Sequence, residues 1–441
     1  MSIDANITEF SSSLLGERYV RVLHKSGLSI YVFPKQLTTT YALFAVNFGS
    51  IDNAFCESGG KRVDLPDGVA HFLEHKLFDN EGGYDSFEKF ASVGADANAY
   101  TSYNRTAYLF SCTAGFDEAL SELLQFVTHP YFTEASVQKE QGIIAQEIRE
   151  YEDNPWERCF QQLLEGLYHT HPVRNNICGT VESISHITPA LLYDCHRLFY
   201  DLSNMALVVC GDVTLDEVLH IADRTLDGMN ACGTAERCEV VEPPFVKTAL
   251  CTCDRAVAKP IFAIGIKDPF VPEDAEERLR RDATMVLLDE VLFSHSGEFY
   301  NTLFEENMIT TNFAGGYSCA RGFGFHSISG ESDTPKVVLE RLREYLACLY
   351  KEGLSEEDIE RCRRVLYADE LRSYDSTDEI SFRLLSFVFE GLDMFSYPRL
   401  LSEISKEELE AALGQMLTKD CITLSVVRPT EEQSEEEKTH E

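Results

Sequence analysis

The sequence lacks a long hydrophobic run. Runs such as Met205 to Cys210 end after a few residues, far short of the roughly 18 apolar residues that a membrane-spanning helix needs. The first 16 residues are polar, with Asp4 and Glu9 where a secretory signal would carry basic residues and then an apolar block. We therefore expect a cytoplasmic protein that is not secreted and does not cross a membrane.

Basic residues are scarce as well. The chain has 38 Lys and Arg against 74 Asp and Glu, a net charge of −36, and only part of this excess lies in the Glu-rich tail, residues 431–441. A strongly negative protein repels phosphate backbones and anionic lipids, and no basic patch offsets the charge. Nucleic acid and membrane surfaces are therefore excluded as expected partners, and we interpret the tail as a disordered end.

The remaining composition is that of a folded globular protein. Hydrophobic residues make up 44% of the 441 positions and charged residues 25%, and this length allows about two to four domains. The 14 cysteines are scattered through a chain without a secretory signal. This pattern does not indicate a disulfide framework, so we interpret most of them as reduced, buried, small apolar residues.

Two parts of the chain resemble each other. Ile187-Thr188, a helical pattern and a buried strand from Met205 are echoed by Ile404-Ser405, a helical pattern and a strand from Ile422, with an offset of 217 residues. A similar offset places the helical pattern of residues 134–151 on that of residues 356–373. Helices and strands mix without strict alternation, and the repeat predicts a duplicated domain.

The most probable boundary between these halves is a stretch rich in Gly, Pro and mixed charges. It predicts an N-terminal domain over residues 1–226, a linker over 227–244 and a C-terminal homologous domain over 245–430.

A helical pattern from Gly68 contains His71-Phe72-Leu73-Glu74-His75. On a helix, His71 and His75 lie one turn apart on one face, a geometry that can chelate a zinc ion, and Glu74 lies close to that face. This is the H-x-x-E-H pattern of inverted zincins, in which the glutamate takes a proton from water activated by the metal. The pattern indicates metal-assisted hydrolysis of an amide bond.

A catalytic zinc site needs a third protein ligand. Glu140 and Glu147 lie seven residues apart, on one face of a predicted helix after two turns. One could bind the metal while the other supports a ligand, and spacing alone does not decide between them.

Three motifs together resemble the pitrilysin family of zinc peptidases, which includes insulin-degrading enzyme and the mitochondrial processing peptidase. They are residues 68–75, Gly94 to Thr101, and Glu140 to Glu147 followed by Glu152 to Pro155. The resemblance runs in order over roughly residues 20 to 215. It implies an α+β fold of two homologous halves, each a mostly antiparallel sheet flanked by helices, which together form half of a clamshell, as in short bacterial members.

The resemblance also implies roles for individual residues. It makes His71, His75 and Glu147 the ligands of one zinc ion per chain and Glu74 the general base. Three further positions follow from it: Glu140 as a carboxylate that supports a ligand, and Asn98 and Ala99 on a strand that pairs with an extended substrate peptide. Main-chain pairing of this kind binds peptides of many sequences.

The second half departs from the family pattern. The offset places Leu288, Val291 and Leu292 where the first half has its motif, so we expect no metal site there.

Active relatives also carry an Arg and, seven residues later, a Tyr that hold the substrate near the zinc. Here Phe304 and Thr311 stand at those positions. The resemblance therefore implies a heterodimer in which a homologous subunit without zinc supplies the missing pair, with a homodimer as the alternative. A register error of a few residues would instead bring Tyr317 and Arg321 into consideration.

The sequence thus predicts a zinc endopeptidase acting on unstructured peptides, such as leader or precursor peptides. The alternative is a non-catalytic scaffold or assembly subunit of the same fold. The intact set of His71, Glu74, His75 and Glu147 argues against that alternative, because a scaffold has no physical need for it.

Overall fold

The computed structural model of the chain describes residues 7–56, 62–238 and 240–430. The chain forms two compact units, and neither is continuous in sequence. Unit 1 is formed by Met1–Ile148, Asn176–Glu239 and Glu370–Ser396, and unit 2 by Arg149–Asn175, Val240–Asp369 and Tyr397–Glu441. The predicted disordered tail, residues 431–441, lies outside the described residues.

The first half of the chain contains ten strands and eight helices within the described ranges. In chain order they are β1 Ile7–Ser12, β2 Glu17–Leu23, β3 Ser29–Pro34, β4 Thr40–Val46, β5 Ala54–Cys56, β6 Arg62–Asp64, α1 Val69–Leu77, α2 Ser86–Ser92, β7 Asp96–Thr101, β8 Thr106–Cys112, α3 Phe116–Thr128, α4 Glu134–Asp153, α5 Pro155–Leu167, α6 Val181–Ser185, α7 Pro189–Phe199, β9 Met205–Gly211, α8 Leu215–Thr225 and β10 Glu236–Arg237.

The second half contains five strands and seven helices within the same described ranges. They are β11 Leu250–Arg255, β12 Ile261–Lys267, α9 Ala275–Phe293, α10 Glu298–Glu305, β13 Ala314–Ala320, β14 Phe323–Glu331, α11 Pro335–Glu352, α12 Glu356–Ser373, α13 Thr377–Val388, α14 Ser396–Glu403, α15 Lys406–Met416 and β15 Ile422–Pro429. In the described part of the chain, no helix is both long and apolar enough to span a bilayer.

Unit 1 is built on a seven-stranded sheet with the order β1-β2-β3-β9-β4-β8-β7. All of its pairings are antiparallel except β3 with β9. Strands β4 and β9 are buried along their whole length and apolar apart from Thr40, which is typical of strands covered on both faces. Helix α3 contributes to the core cluster that includes alternate residues of these strands, and α13 also packs on them.

Unit 2 is built on a five-stranded sheet with the order β11-β15-β12-β14-β13. This order repeats β3-β9-β4-β8-β7 of unit 1, and the pairing of β11 with β15 is parallel like that of β3 with β9. Helix α5 packs on β12 and β15, which are the counterparts of β4 and β9. The prediction of two homologous α+β halves is thus confirmed.

The two halves exchange one helix each. Helix α5 comes from the first half of the sequence but belongs to unit 2, and its counterpart α13 comes from the second half but belongs to unit 1. Each sheet is therefore covered in part by a helix of the other half. The predicted domains, residues 1–226 and 245–430, follow the sequence repeat and stay a prediction. They do not include the exchange of α5 and α13.

Candidate metal centre

Helix α1 carries the histidine motif through the core of unit 1. Val69, Phe72 and Leu73 are almost fully buried in the main apolar cluster, which fixes the helix along its length. His71 and Glu74 are only 7% and 9% exposed. Polar groups are rarely buried to this extent without a structural or chemical reason.

The start of α1 is fixed by a close backbone contact. Gly68 has φ of 90°, and a Cβ atom there would lie 2.4 Å from the carbonyl oxygen of Cys178. Glycine at this position therefore lets the loop around Cys178 approach the helix. As a result, the Cys178 thiol lies 3.8 Å from Nε2 of His71.

The carboxylates come from α4, which is held in the same core by Val137, Ile144 and Ile148. Glu147 points between the two histidines, with its oxygens 3.7 Å from Nε2 of His71 and 3.7 Å from Nε2 of His75. Within the described residues, only this group of three could hold a metal ion, since its ligand atoms all lie within 4.8 Å of one another.

Glu140 occupies a different position from Glu147. It contacts Nδ1 of His75 at 3.1 Å, on the other side of the ring from Glu147. Lys76, which is 1% exposed, lies with its ammonium group 3.6 Å from Glu140 and also bonds Asp79. Glu140 therefore orients His75, and a buried cation holds Glu140 in turn.

The protonation state of His71 suits metal binding. Burial and the neighbouring His75 lower the pKa of His71 to about 3, so its ring is neutral and offers a lone pair. Its Nδ1 is buried without a hydrogen-bond partner in the described structure. For His75, burial opposes protonation, but the bond to Glu140 and the nearby carboxylates outweigh it and raise the pKa.

Glu74 has the environment of a tuned acid-base group. Burial raises the pKa of its carboxyl, and a hydrogen bond from Thr101 counteracts part of this rise. The Thr101 hydroxyl donates to Oε2 of Glu74 at 2.6 Å from strand β7. Glu74 is thus held at the end of a sheet strand as well as in its own helix.

Cys178 is a neighbour of the cluster with a different protonation state. Burial and the charges of Glu147 and Glu74 raise the pKa of its thiol to about 12, so it stays protonated at neutral pH. A neutral thiol is not the form that binds metals.

Strand β7 contains the two residues predicted to bind substrate. It lies at the edge of the sheet, and among the described residues it pairs only with β8. Asn98 is exposed, and its side-chain oxygen accepts a hydrogen bond from the backbone N–H of Ala99 at 2.8 Å. A peptide strand that paired here would displace the Asn98 carboxamide from that N–H.

The structure therefore brings His71, Glu74, His75, Glu140 and Glu147 together. Two positioning residues, Lys76 and Thr101, were missed at the sequence level. Lys76 directly follows the motif, and a lysine inside an apolar helix pattern could have drawn attention. Thr101 offers no such signal, because its contact depends on how β7 packs beside α1.

The second half has no such cluster in the part of the chain that the structure describes. Leu288, Val291 and Leu292, the positions reached by the repeat offset, are 0%, 7% and 0% exposed and pack in the core of unit 2. Phe304 is exposed on α10, and Thr311 is exposed after it. Tyr317 donates a hydrogen bond to Asp268 at 2.6 Å.

Comparison with family models gives two matches. Residues 58–181 match the model described as Insulinase (Peptidase family M16), and residues 186–366 match the Peptidase M16 inactive domain. The first range contains the metal cluster, and the second contains most of the half that lacks it.

The chain is also similar to individual proteins. It is 37% identical to a Bacillus subtilis (strain 168) protein described as uncharacterized zinc protease YmfH, over 92% of this chain and 95% of that one. It is 24% identical to the mitochondrial-processing peptidase subunit beta of Neurospora crassa, over 72% and 70% of the two chains.

A solved structure described as an M16-like peptidase from Alicyclobacillus acidocaldarius matches with a TM-score of 0.89 and 32% identity, over 93% of this chain and 98% of that one. The periplasmic protease PqqL of Escherichia coli shares the fold, with a TM-score of 0.72 at 18% identity, over 97% of this chain but 49% of its own.

Proposed function

Because the chain belongs to peptidase family M16, we propose that it is a zinc-dependent endopeptidase that hydrolyses unstructured peptides. In this proposal His71, His75 and Glu147 hold one zinc ion, and Glu74 is the general base. The observation that carries it is the convergence of two imidazole Nε2 atoms and one carboxylate beside a buried glutamate of raised pKa.

The donor set fits zinc. Two imidazoles and one carboxylate are a known ligand set of catalytic zinc sites, which keep a further position open for water or substrate. When bound, zinc lowers the pKa of water to about 7 and polarises a carbonyl group. The neutral ring of His71 and the held ring of His75 are ready to act as ligands without prior loss of a buried proton at His71.

Glu74 supplies the proton transfer. Its raised pKa brings the carboxylate closer to the range in which a group both accepts and returns a proton near neutral pH. The carboxylate would take a proton from the attacking water and deliver it to the leaving amine. The Thr101 hydrogen bond fixes Oε2, which leaves Oε1 for this transfer.

The free edge of β7 supports binding of an extended peptide. Asn98 and Ala99 lie on this edge strand, and Thr101 at its end contacts Glu74. A substrate strand added to β7 would therefore run past the general base. Main-chain hydrogen bonds would give affinity with little dependence on side chains, which suits leader or precursor peptides.

We also propose that a second subunit completes the site. In the register that the family resemblance implies, Phe304 and Thr311 stand where related peptidases carry the Arg and Tyr that hold the substrate, whereas a shift of a few residues would bring in Tyr317 and Arg321. Two relatives support the idea: one is described as a subunit, and PqqL is about twice as long as the part that this chain matches. A homologous chain without zinc would supply the missing pair, and a homodimer is the alternative.

The alternative function is a non-catalytic assembly subunit of the same fold. The match of residues 186–366 to a domain described as inactive favours it. The first-half cluster argues against it, since a scaffold gains nothing from a buried Glu74 between two histidines.

Hydrolysis by the purified, zinc-loaded chain over a mixture of unstructured peptides tests the proposal, with Glu74→Gln as the control. We expect Glu74→Gln to bind one zinc ion, as measured by elemental mass spectrometry, and to lose about 100- to 10,000-fold in rate. Equal hydrolysis by both forms would contradict the role of Glu74.

If neither form hydrolyses peptides although each binds one zinc ion, the result would indicate that activity needs a partner subunit. Co-expression with a homologous subunit and a mass measurement by light scattering would then test the heterodimer. A strictly monomeric chain that hydrolyses peptides at the full rate would contradict the two-subunit proposal but not the zinc-peptidase proposal.

A further inference from the structure

Strand β11 forms one edge of the unit 2 sheet. Among the described residues it pairs only with β15. Its counterpart β3 in unit 1 pairs with β9 on one side and is covered on the other by β2, which runs antiparallel to it. In the described part of unit 2, no strand takes the place of β2. The same edge is therefore covered in one unit and open in the other.

The sequence repeat shows which residues lose this cover. Val32 of β3 pairs with Val209 of β9. Thr252 of β11 pairs with Val426, which lies at the repeat offset from Val209, so Thr252 matches Val32. Val32 is 0% exposed and lies opposite Val20 of β2, whereas Thr252 is exposed. Position 252 thus lacks the neighbouring strand that its counterpart has.

The backbone of β11 alternates between groups that bond β15 and groups that face the open edge. The carbonyl oxygen of Ala249, just before the strand, accepts the N–H of Leu424 at 2.9 Å. In a parallel pair, one residue directs both its N–H and its C=O to the neighbouring strand, and the next residue directs both away from it. The residues directed away from β15 are Leu250, Thr252 and Asp254. No described group accepts a hydrogen bond from their N–H groups.

The usual protections of a sheet edge are weak in β11. Natural edge strands avoid pairing by means of proline or charged side chains. Strand β11 contains no proline, and its one acidic residue, Asp254, bonds Arg428 of β15 at 2.9 Å. The Asp254 carbonyl accepts Nη1 of Arg255 at 3.0 Å, but a carbonyl oxygen can accept a second bond. The edge carries no excess of negative charge, so a second copy of this chain of net charge −36 is repelled less here than over most of its surface.

We propose that β11 pairs with β11 of a second copy of this chain, antiparallel and with a two-fold axis at Thr252. In this register Leu250 lies opposite Asp254 of the second copy, and Thr252 lies opposite its own equivalent. Each of these pairs consists of outward-directed residues, so each can exchange both of its main-chain hydrogen bonds. The second copy thus supplies an antiparallel strand, as β2 does for β3, and no like charges lie directly opposite each other.

The proposed register also predicts which cysteines meet. The residues between the outward-directed ones form the non-hydrogen-bonded pairs of an antiparallel ladder, with Cα atoms about 4.5 Å apart. Cys251 would lie opposite Cys253 of the second copy, on the same face of the sheet. This separation is within the range of disulfides, and both thiols are partly exposed. A link between these two cysteines would therefore report on the register.

Light scattering of the full chain in reductant, over a range of protein concentrations, tests the pairing. We expect the mass to rise to that of two chains. Thr252→Pro should stay at the mass of one chain, because proline removes an outward N–H without breaking a bond to β15. Thr252→Val keeps this N–H and should still dimerise, and circular dichroism checks that both variants fold. A monomeric unchanged chain, or a dimer of Thr252→Pro, would overturn the proposal.

A mixture of two variants tests the register without the use of proline. Cys251→Ser keeps Cys253, and Cys253→Ser keeps Cys251, so under mild oxidation with copper phenanthroline the mixture should link the two remaining thiols between chains. Peptide mapping identifies this link, because the exposed Cys232 and Cys348 can also react. A dimer without the link in the mixture, or a link between two Cys253 thiols in Cys251→Ser alone, would refute the register. Neither test measures hydrolysis, so their outcomes are independent of the zinc-peptidase proposal.

Discussion

Helices α1 and α9 occupy the same place in the topology of the two units, but the residues at the positions matched by the repeat differ in kind. Helix α1 buries His71 and Glu74, whereas α9 places Leu288 and Leu292 in its core. A buried ionisable group opposes folding unless it gains a partner, and a buried leucine favours folding directly. The comparison teaches that the first unit keeps ionisable side chains where the second uses the same positions for packing.

The largest effect is expected when a residue of the candidate metal centre in unit 1 is replaced by its counterpart from unit 2. His71→Leu should fold, because leucine is accepted at the matching position of α9. It removes one of the three proposed ligands, so we expect zinc content near zero and hydrolysis at background. Elemental mass spectrometry and the peptide assay measure both, and His129→Leu, outside the cluster, is the control. Retention of one zinc ion would contradict the ligand assignment.

In unit 2, the matching positions should contribute to the free energy of unfolding instead of to metal binding. Leu292→Ala removes a fully buried side chain from unit 2 and should lower the free energy of unfolding by about 2–5 kcal/mol without changing the zinc content. Chemical denaturation measures the loss. Leu250→Ala, at a position 42% exposed, should change it by less than about 0.5 kcal/mol. Similar small losses in both variants would show that α9 does not depend on this packing.

The sequence predicted the elements around these helices because their signals are local. The period of the apolar residues indicated α1, α4 and α12, and the repeat of a helix followed by a strand indicated two homologous halves. The exchange of α5 and α13 could not be predicted in this way, because periodicity shows that a helix has an apolar face but not which sheet covers it.

The candidate site shows the same limit. Spacing placed Glu140 and Glu147 on one helix face but left their roles open. In the structure only Glu147 lies near both Nε2 atoms, while Glu140 lies at Nδ1 of His75. The roles of Glu147 as metal ligand and of Glu140 as supporting carboxylate stay predictions. Metal affinity can separate them, because loss of a ligand should weaken binding more than loss of a supporting group.

Lys76 should affect the metal affinity of the candidate site in unit 1. Its buried ammonium group lies beside Glu140, which orients His75. Lys76→Met should let Glu140 shift or take up a proton, and we expect zinc affinity to fall by about 10- to 100-fold. Competition with a chelating dye measures this. Lys89→Met, which breaks the ion pair with Glu122 in the same unit, is the matched control and should keep its affinity. An equal loss in both variants would indicate general destabilisation.

Thr101 should have a smaller effect, on rate instead of metal content. Thr101→Val removes the hydrogen bond to Glu74, so the pKa of Glu74 should rise and kcat should fall by about 10-fold with KM little changed. The acid limb of the pH–rate profile should move to higher pH. Thr128→Val, whose hydroxyl bonds the Leu124 carbonyl in α3, is the control. An unmoved acid limb would show that Thr101 does not tune Glu74.

The smallest expected effect lies in unit 2, where a buried lysine and carboxylate serve the backbone instead of a ligand. Glu242 bonds Lys267 at 2.6 Å and accepts the N–H groups of residues 169–171. Burial opposes its charge, but these bonds outweigh burial and lower the pKa of Glu242 to about 2.

A carboxylate with a lowered folded-state pKa stabilises the fold above its unfolded pKa. That stability is lost as the pH falls from about 4.5 to 2. In the same segment, burial lowers the pKa of His171 to about 4, so its contribution is lost first, as the pH falls below about 6.5. Glu242→Gln should remove only the lower step, while the loss from His171 remains.

Amide hydrogen exchange at residues 169–171 between about pH 5 and pH 3 measures the lower step, after correction for the intrinsic exchange rate. Glu165→Gln, a more exposed carboxylate paired with Arg158, is the control and should keep it. The same pH dependence in Glu242→Gln as in the unchanged chain would show that this carboxylate does not anchor the segment. Of the two buried lysine–carboxylate pairs, Lys76 with Glu140 and Lys267 with Glu242, only the first would then have a measurable effect.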